Sequence, residues 1–323
     1  MTKSHENIDV RVTRVEQASE RVKRFTLERR DGEPLPSFTG GSHVIVQMRD
    51  SRGKQFNNAY SLMSDPADTR CYQIGVRLEE QSRGGSAFMH EQVRPGSELV
   101  ITAPNNLFAL DNSPGRHVMV AGGIGITPFL AHLPELHRRA ARYQLHYAYR
   151  APEHAAFRDD LLASPYADHV RFHVDSQGEK LDLAGLAQGL QDTDHLYVCG
   201  PRPLIDAVIA AADAAGIPPA RVHWEQFAAA PATGGAFTVV LARSGTELRV
   251  DAGCSILQAI EKSNAAQVKC LCREGVCGTC ETRILEGQAE HFDQYLSDEE
   301  KAAQQTMMIC VSRAHGDRLV LDL

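Results

Sequence analysis

The sequence predicts a multi-domain protein with an antiparallel β-barrel, an α/β domain built on a doubly wound parallel sheet, and a small α+β domain. Three observations support this division. Many short β-type runs occupy the first 110 residues, strand and helix patterns alternate over 111–227, and residues 228–236 are rich in Ala, Pro and Gly. At 323 residues the chain is too long for one ordinary domain. We therefore expect domains at 1–110, 111–227 and 237–323, with 228–236 as a linker.

The expected barrel strands are short apolar or alternating runs that Gly, Pro and Asp residues separate. They cover residues 10–12, 22–27, 43–48, 72–76 and 99–102. Many short strands at this spacing are typical of a small barrel.

The middle segment is expected to form a parallel sheet with helices on both faces. Apolar strands are predicted at residues 117–121, 144–149, 170–174 and 195–199. Helical patterns follow these strands, first in FLAHLPELHRRA and then over residues 155–162, 181–190 and 204–214.

The last segment predicts a small domain with a cysteine-rich loop. Residues 237–241 and 247–250 are expected to form a hairpin, residues 256–263 a helix, and residues 319–323 a final strand. The cysteine-rich loop lies between the helix and the final strand.

Composition excludes some functional classes. The chain is 43% hydrophobic and 23% charged with a formal net charge of −7, which fits a globular protein and argues against a nucleic-acid partner. No stretch approaches the roughly 20 apolar residues of a membrane span, and the N-terminal residues contain no apolar signal segment. We therefore expect a cytoplasmic protein without a membrane partner.

Four cysteines carry the clearest chemical signal. Cys272, Cys277 and Cys280 form a C-x4-C-x2-C pattern in CREGVCGTC, and Cys310 lies downstream in MMICVSR. This is the spacing of a plant-type [2Fe–2S] cluster, in which four thiolates hold two irons. A structural zinc site, which usually pairs two short ligand motifs, is the alternative. Cys270 lies outside the pattern and is not expected to be a ligand.

Two loops that follow predicted strands are expected to bind a dinucleotide. The segment AGGIGITP leads from a strand into a helix, where glycines let a pyrophosphate approach the backbone and the helix N-terminus adds partial positive charge. A glycine-rich turn of this kind is also common without a ligand, but a second loop follows another strand at the same expected edge. The candidate residues are Gly122, Gly123, Gly125, Thr127, Cys199, Gly200 and Pro201.

Two side chains give opposite indications of the coenzyme. Asp175 follows the strand at 170–174, where a carboxylate can bind a ribose 2′-hydroxyl and repel a 2′-phosphate. Arg150 follows the strand at 144–149 and can attract that phosphate. We expect NADH, with NADPH as a second donor.

The barrel segment contains two further motifs, NAYSL at residues 58–62 and SRGGS at residues 82–86. Tyr60 and Ser61 can present a ring and a hydroxyl to a planar heterocycle, and the glycines can hold a phosphate through backbone amides. A packed strand tyrosine and an exposed glycine turn are the structural alternatives.

Taken together, NAYSL, RGGS, AGGIGITP, CGP, WEQF at residues 224–227 and the cysteine motif resemble the phthalate dioxygenase reductase type of oxygenase reductase over the whole chain. Within that family the chain is similar to reductases that serve carnitine monooxygenases. The resemblance implies an NAD(P)H-dependent flavin iron–sulfur oxidoreductase with FMN and a plant-type [2Fe–2S] ferredoxin domain. Its partner would be a Rieske-type oxygenase in a transient complex, and that oxygenase would split carnitine into trimethylamine and malic semialdehyde.

The resemblance also assigns residues, and none of them is a proton-transfer catalyst. Phe227 would lie near the flavin where the nicotinamide enters, and Gly84, Gly85 and Ser86 would hold the FMN phosphate. The other flavin contacts would be Asn58, Tyr60, Ser61, Val76 and Arg77.

Asn58 departs from the family pattern, which has Arg at this place. An amide can donate hydrogen bonds to phosphate but cannot neutralise it. Arg77 or Arg83 is expected to compensate, and FAD is the alternative flavin.

Two other functions are consistent with the residues. The first is a reductase for a different Rieske oxygenase, which acts on another quaternary ammonium or an aromatic substrate. The second is a metal-binding interaction module without redox turnover.

Overall fold

The computed structural model of the chain describes residues 6–80, 83–227 and 234–323. Ser82 of the SRGGS motif, residues 228–233 of the expected linker, and residues 1–5 of the expected barrel lie outside the described residues. Residues 6–226 form one compact unit and residues from 227 onward form another.

The first unit begins with an antiparallel sheet in the order β4-β3-β6-β1-β2-β5, with β7 paired to β3. A bridge between Leu62 and Ile74 joins the end of β4 to β5, and the Met63 N–H donates to the Gln73 carbonyl at 2.9 Å. This bridge connects the two edge strands, so the predicted barrel is present. Its elements are β1 (Asn7–Ser19), β2 (Val22–Arg29), β3 (Ser42–Arg49), β4 (Gln55–Ser61), β5 (Tyr72–Arg77), α1 (Gly85–Glu91), β6 (Glu98–Thr102) and β7 (Asn105–Asn106).

The barrel core follows from the alternation of side chains along its strands. Val10 and Val12 of β1 and Phe25 and Leu27 of β2 are buried in one cluster, while Arg11 between the two valines is exposed. Successive strand residues point to opposite faces, so one apolar face closes on the core and the other meets solvent.

The same unit continues with a five-stranded parallel sheet in the order β10-β9-β8-β11-β12. A short 3-10 helix, Gly123–Ile126, leads into α2, where Pro128 occupies an early position whose backbone N–H is not needed. The elements are β8 (Arg116–Gly122), α2 (Thr127–Arg138), β9 (Arg142–Tyr149), α3 (Arg158–Leu162), β10 (Val170–Val174), α4 (Leu183–Gln188), β11 (His195–Cys199), α5 (Arg202–Ala214) and β12 (Val222–Glu225).

Both faces of this sheet are buried, which confirms the doubly wound prediction. Met119 and Ala121 of β8 belong to the core that contains α2, whereas Val118 and Val120 belong to the core that contains α5. Neighbouring residues on one strand therefore pack against different helices, as parallel strands require. The helix expected over 155–162 is shorter, because Phe157 has a left-handed backbone (φ +62°) and α3 begins only after it.

The barrel packs against α2 of the α/β sheet. The ring of His132 lies 3.0 Å (Nε2) from the Phe108 carbonyl oxygen, and the Glu135 carboxylate accepts a hydrogen bond from the Gly40 N–H at 2.8 Å. A β-carbon at Gly40 would lie 2.5 Å from the His132 ring, so a glycine is needed for this approach. The contact fixes the barrel relative to the edge of the sheet where β8 ends.

The second unit contains a mixed sheet in the order β14-β13-β19-β15-β17 and a small β16–β18 ladder. Its first strand, β13, runs parallel to its last, β19, with Val239 opposite Leu319. Ser255 and Gln258 form a capping box at the start of α6. The elements are β13 (Phe237–Leu241), β14 (Thr246–Val250), α6 (Ile256–Ser263), β15 (Glu281–Glu286), β16 (Ala289–Glu290), α7 (Asp298–Ala303), β17 (Thr306–Met308), β18 (Arg313–Ala314) and β19 (Arg318–Leu321).

One arginine ties the start of this unit to the strand that follows the fourth cysteine. Arg313 is 1% exposed, and its guanidinium donates to the carbonyl oxygens of Gly235 at 2.8 Å and of Cys254. It also lies over the Phe237 ring at 4.9 Å. These contacts satisfy the buried guanidinium with backbone dipoles and a ring face.

Within the described stretches, no helix combines the length and the apolar character that crossing a membrane requires.

Candidate electron-transfer sites

The cysteine loop between α6 and β15 places the four predicted ligands in the interior of the second unit. Cys272, Cys277 and Cys280 lie on the loop, Cys310 follows β17, and none is more than 7% exposed. Cys272 is in hydrogen-bonding contact with Cys277, and Cys280 is in contact with Cys310. Four thiols that converge from two segments fit the ligand set of a [2Fe–2S] cluster.

Cys270, which was not expected to be a ligand, also contacts the Cys280 sulfur. Its position two residues before Cys272 did not predict this contact. The contact depends on how the loop folds back on itself.

Two glycines make the tight loop possible. Gly275 and Gly278 both have φ +73°, a left-handed conformation that side chains other than glycine rarely adopt. A β-carbon at Gly278 would lie 2.3 Å from the Tyr295 ring, and one at Gly275 would lie 2.7 Å from Val311. The loop therefore needs glycine at both positions for its backbone conformation and for its packing.

Backbone and hydroxyl groups surround the sulfur atoms. The Glu274 N–H donates to Cys272 Sγ at 3.3 Å, and the Thr279 hydroxyl lies 3.3 Å from Cys277 Sγ. Hydrogen bonding from Cys272, with further help from Thr279, lowers the pKa of Cys277 to about 5. A thiolate is the form that binds iron, so these groups favour the ligating state of Cys277, while the same contact raises the pKa of Cys272.

A buried carboxylate beneath the loop was not found by the sequence reasoning. Asp293 accepts hydrogen bonds from the Leu296 N–H at 2.9 Å and the Ser312 hydroxyl at 3.2 Å, and its Oδ1 lies 3.5 Å from His291 Nδ1. Burial would raise the pKa of Asp293, but His291 and the Leu296 N–H outweigh burial and lower it. Its Cα lies 3.0 Å from the position of a β-carbon at Gly275, so it supports the cysteine loop directly.

The two predicted dinucleotide loops meet at one edge of the parallel sheet. Cys199 at the end of β11 pairs with Ala121 near the end of β8. A β-carbon at Gly125 would lie 2.2 Å from the Cys199 carbonyl oxygen, and one at Gly122 would lie 2.5 Å from Leu204. The glycines thus let the two loops touch, as the carboxyl-edge crevice of this fold requires.

A crevice of about 580 Å³ opens beside these loops. Gly122, Gly123 and Pro201 line it. Gly125, Cys199 and Gly200 instead form the contact between the loops. Thr127 is buried, its hydroxyl donates to the Ile124 carbonyl at 3.1 Å, and its methyl group contacts the barrel strand β5 at Gly75.

The two side chains that gave opposite indications of the coenzyme both reach this crevice. Asp175 and Arg150 line it, and His154 and Lys180 lie with them. One carboxylate therefore faces a group of basic side chains, and the opposite indications in the sequence are both present in the structure.

Glu225 of the WEQF segment is a candidate functional residue that the sequence reasoning did not single out. It is buried on β12 opposite Cys199, and its Oε2 lies 4.0 Å from Cys199 Sγ. Burial raises the pKa of Glu225 to about 8 and raises the pKa of Cys199 well above its usual range. Both groups are therefore uncharged at neutral pH, beside the loop at the end of β11. The burial of a glutamate within WEQF depends on strand pairing, which the sequence pattern alone did not show.

The predicted flavin residues gather on the barrel. A β-carbon at Gly85 would lie 2.3 Å from Asn58 Oδ1, so NAYSL and the RGG segment are in direct contact. The Ser86 hydroxyl accepts a hydrogen bond from the Glu79 N–H at 3.2 Å and can still donate one. Ser61 is buried. Tyr60 is half-buried and packs at the edge of the barrel core.

The other two predicted flavin contacts lie on β5. Val76 is buried and its carbonyl oxygen lies 2.8 Å from His90 Nε2. Arg77 is paired with Glu79 at 3.4 Å and lines the dinucleotide crevice. Phe227, the remaining predicted contact, is an exposed aromatic side chain at the start of the second unit.

Comparison with known proteins agrees with this arrangement. Residues 119–209 match the family profile described as an oxidoreductase NAD-binding domain, and residues 239–315, which contain all four cysteines, match the 2Fe-2S iron-sulfur cluster binding domain. The carnitine monooxygenase reductase subunit of Escherichia coli (strain K12) is 57% identical over 99% of both chains. The heme-dependent oxidative N-demethylase beta subunit of Ectopseudomonas mendocina (strain ymp) is 44% identical over 98% of this chain and 99% of that protein.

A solved structure matches over almost the whole chain. It is that of phthalate dioxygenase reductase, described as a modular structure for electron transfer from pyridine nucleotides to [2Fe–2S], with a TM-score of 0.73 and 33% identity over 98% of each chain. The order of barrel, parallel sheet and cluster domain is thus shared. The chain belongs to the phthalate dioxygenase reductase family of oxygenase reductases, as an oxidoreductase with a flavin-type barrel, an NAD-binding domain and a [2Fe–2S] domain.

Proposed function

We propose that this chain is the reductase component of a Rieske-type carnitine monooxygenase and passes electrons from NADH through FMN and a [2Fe–2S] cluster to the oxygenase. The observation that carries the choice of oxygenase is the 57% identity, over 99% of both chains, with the Escherichia coli carnitine monooxygenase reductase subunit. The four buried cysteines and the glycine-lined crevice support the electron path. The chain itself does not bind carnitine in this proposal.

The predicted binding residues form two groups in the proposal. Tyr60 and Ser61 contact the flavin, Val76 and Arg77 lie along its edge, and Phe227 is near the flavin where the nicotinamide enters. The phosphate lies at Gly84, Gly85 and Ser86 next to Asn58, and the dinucleotide lies along the crevice that Gly122, Gly123, Gly125, Thr127, Cys199, Gly200, Pro201 and Asp175 surround.

Bound flavin would accept a hydride, which carries two electrons, and release the electrons singly. The bound cluster would carry those electrons one at a time. The protein supplies binding, orientation and the local electrical environment. Burial favours the uncharged forms of Glu225 at the end of β12 and of Cys199 at the end of β11, so this edge of the sheet does not carry a buried carboxylate ion. The Glu274 N–H donates to Cys272 Sγ, and hydrogen bonding with Thr279 helps to lower the pKa of Cys277, so both groups favour negative charge on the ligand sulfur atoms.

The domain boundaries and the compartment are also part of the proposal. The boundaries at 1–110, 111–227 and 237–323, with a linker at 228–236, agree with the sheet topology, because no sheet has strands in more than one of these domains. A cytoplasmic location agrees with eight cysteines among which the described chain forms no disulfide.

The second candidate function is a reductase that supplies electrons to a different oxygenase. The 44% identity to the beta subunit of a heme-dependent oxidative N-demethylase, over 98% of this chain, favours another oxygenase that acts on an amine.

The first test is the visible spectrum of the purified protein before and after NADH is added without oxygen. Flavin bands and iron–sulfur absorbance that both bleach would support the electron path. A colourless protein, or one whose colour NADH and NADPH leave unchanged, would contradict it and favour a metal-binding module without redox turnover.

The choice of oxygenase is tested by supplying the reductase and NADH to a panel of purified oxygenases. Trimethylamine release from carnitine, at a higher rate than the turnover of N-demethylase or aromatic-ring oxygenases, would support carnitine monooxygenase. A higher rate with any other oxygenase would reject it.

A further inference from the structure

The glycine segment, residues 83–86, follows β5 and lies against one face of strand β4. Alternate residues of a strand point to the same face, so Phe56, Asn58 and Tyr60 share a face, and Lys54, the residue just before the strand, continues the row. Asn58 contacts Gly85, and Phe56 contacts Gly84, because a β-carbon at Gly84 would lie 2.5 Å from Phe56 Cε1. Alternate side chains of β4 therefore contact successive residues of the glycine segment.

Lys54 extends this contact by one more step. Its ammonium donates a hydrogen bond to the Arg83 carbonyl oxygen at 3.4 Å and lies 4.8 Å from the centre of the Phe56 ring. Three alternate side chains, Lys54, Phe56 and Asn58, thus meet three successive residues, Arg83, Gly84 and Gly85. The ammonium is held at the start of the same segment whose glycines contact Asn58.

The backbone of Lys54 is also fixed in place. Its N–H donates to the Asp50 carboxylate at 2.8 Å, and its carbonyl accepts from the Asp50 N–H at 3.0 Å. The turn between β3 and β4 is therefore closed at Lys54. A side chain that starts from a fixed point and rests on an aromatic ring loses little freedom when it binds an anion.

The positive charge of Lys54 is not used by another group. Among the described residues, no carboxylate lies within ion-pair distance of its ammonium, and its side chain is exposed to solvent. Arg77, by contrast, is paired with Glu79 and lines the dinucleotide crevice. Lys54 is therefore a third candidate, beside Arg77 and Arg83, for the cation that compensates for Asn58 at the glycine segment.

A phosphate monoester carries close to two negative charges and needs a cation as well as hydrogen-bond donors when it leaves water. The glycine segment supplies backbone N–H groups, Ser86 supplies a hydroxyl and Asn58 supplies an amide, but none of these carries charge. Lys54 supplies a positive charge at the same place, in addition to that of Arg83.

We propose that the Lys54 ammonium binds the terminal phosphate of FMN and, together with Asn58, forms the charged side of the phosphate site. The inference rests on the proposed function, because it takes the flavin phosphate to lie at residues 84–86. It makes Lys54 a residue that selects phosphorylated flavin over riboflavin.

The test compares the binding of FMN and riboflavin to the full-length protein, measured by the change in flavin fluorescence. Lys54→Met is expected to weaken FMN about tenfold, the value for one charge-assisted hydrogen bond, and to leave riboflavin affinity unchanged. Lys54→Arg is expected to keep most of the FMN affinity. Added salt should weaken FMN binding to the unchanged protein more than to Lys54→Met.

Two variants serve as controls. Arg142→Met removes the same charge from an exposed position on β9 and is expected to leave both flavins unaffected. Asn58→Arg in the Lys54→Met background is expected to restore FMN affinity by placing a cation against Gly85.

The outcomes separate the inference from the proposed function. Full FMN affinity in Lys54→Met, or equal losses for FMN and riboflavin, would overturn the role of Lys54 while leaving the reductase function intact. Unchanged protein that binds neither flavin would overturn both.

Discussion

Replacing Glu225 by Gln is expected to stabilise the protein at neutral pH. Burial raises the pKa of this carboxyl from 4.5 to about 8. At pH 7 the folded protein therefore keeps Glu225 protonated, whereas ionisation of Glu225 stabilises the unfolded chain. Gln has nearly the same shape and no charge, so it retains the packing of the protonated form and removes the ionisation that favours unfolding.

The size of the effect follows from the two pKa values. Between pH 4.5 and pH 7, ionisation of Glu225 lowers the free energy of the unfolded chain by about 1.4 kcal/mol for each pH unit. The folded protein is therefore destabilised by a total of about 3 kcal/mol at pH 7. The stability that protonated Glu225 contributes is fully present below pH 4.5 and is lost as the pH rises to 8. The difference between the variant and the unchanged protein should therefore grow from near zero at pH 4.5 to a plateau above pH 8.

The assay uses the single tryptophan of the chain, Trp224, which precedes Glu225 on β12. Urea unfolding followed by Trp224 fluorescence at several pH values gives the free energy of unfolding for both proteins. Glu20→Gln, at an exposed position of the same unit, is the matched control and is expected to show no pH-dependent difference. A Glu225→Gln variant that is less stable than the unchanged protein at pH 7, or whose advantage does not grow with pH, would refute the reasoning.

Three further predictions concern the cofactor sites. Cys310→Ser should remove most iron–sulfur absorbance while the flavin bands persist, because the cysteine lies in the cluster unit and every predicted flavin contact except Phe227 lies in the other; loss of both signals would argue against separate sites. Gly125→Ala should cost about 2 kcal/mol or more in urea unfolding, since its β-carbon would lie 2.2 Å from the Cys199 carbonyl oxygen, and an unchanged unfolding midpoint would show that the loops can separate. Asp175→Asn should raise the rate with NADPH relative to NADH by removing repulsion of the 2′-phosphate beside Arg150, and a fixed ratio in steady-state kinetics would place the 2′-position elsewhere.

The sequence predicted those parts of the molecule that depend on local spacing. The interval between Cys272, Cys277 and Cys280 reflects the geometry of one loop, and the glycines of AGGIGITP reflect the close contact of two turns. These patterns can be read without knowing which segments meet. The same is true of the helix at 256–263, which the structure reproduces residue for residue because a capping box starts it.

The remaining features depend on pairing between distant segments. Glu225 is buried because β12 pairs with β11, and Lys54 reaches the glycine segment because β4 passes beside residues 83–85. Asp293 reaches the cysteine loop from a segment without regular structure. Strand β1, expected over 10–12, extends from 7 to 19 because it pairs with both β2 and β6, and backbone pairing tolerates its exposed polar residues.

The parallel pairing of β13 with β19 has a mechanical consequence for the cluster domain. Tension applied through the chain that enters at Gly235 acts along β13, while its hydrogen bonds to β19 run across that direction. The bonds are then loaded in shear and must fail together, whereas a hairpin pulled from its open end would unzip one bond at a time. Arg313, which donates to the Gly235 carbonyl, adds a side-chain hydrogen bond at this end of β13, so the first residues of the domain resist being pulled away from the sheet.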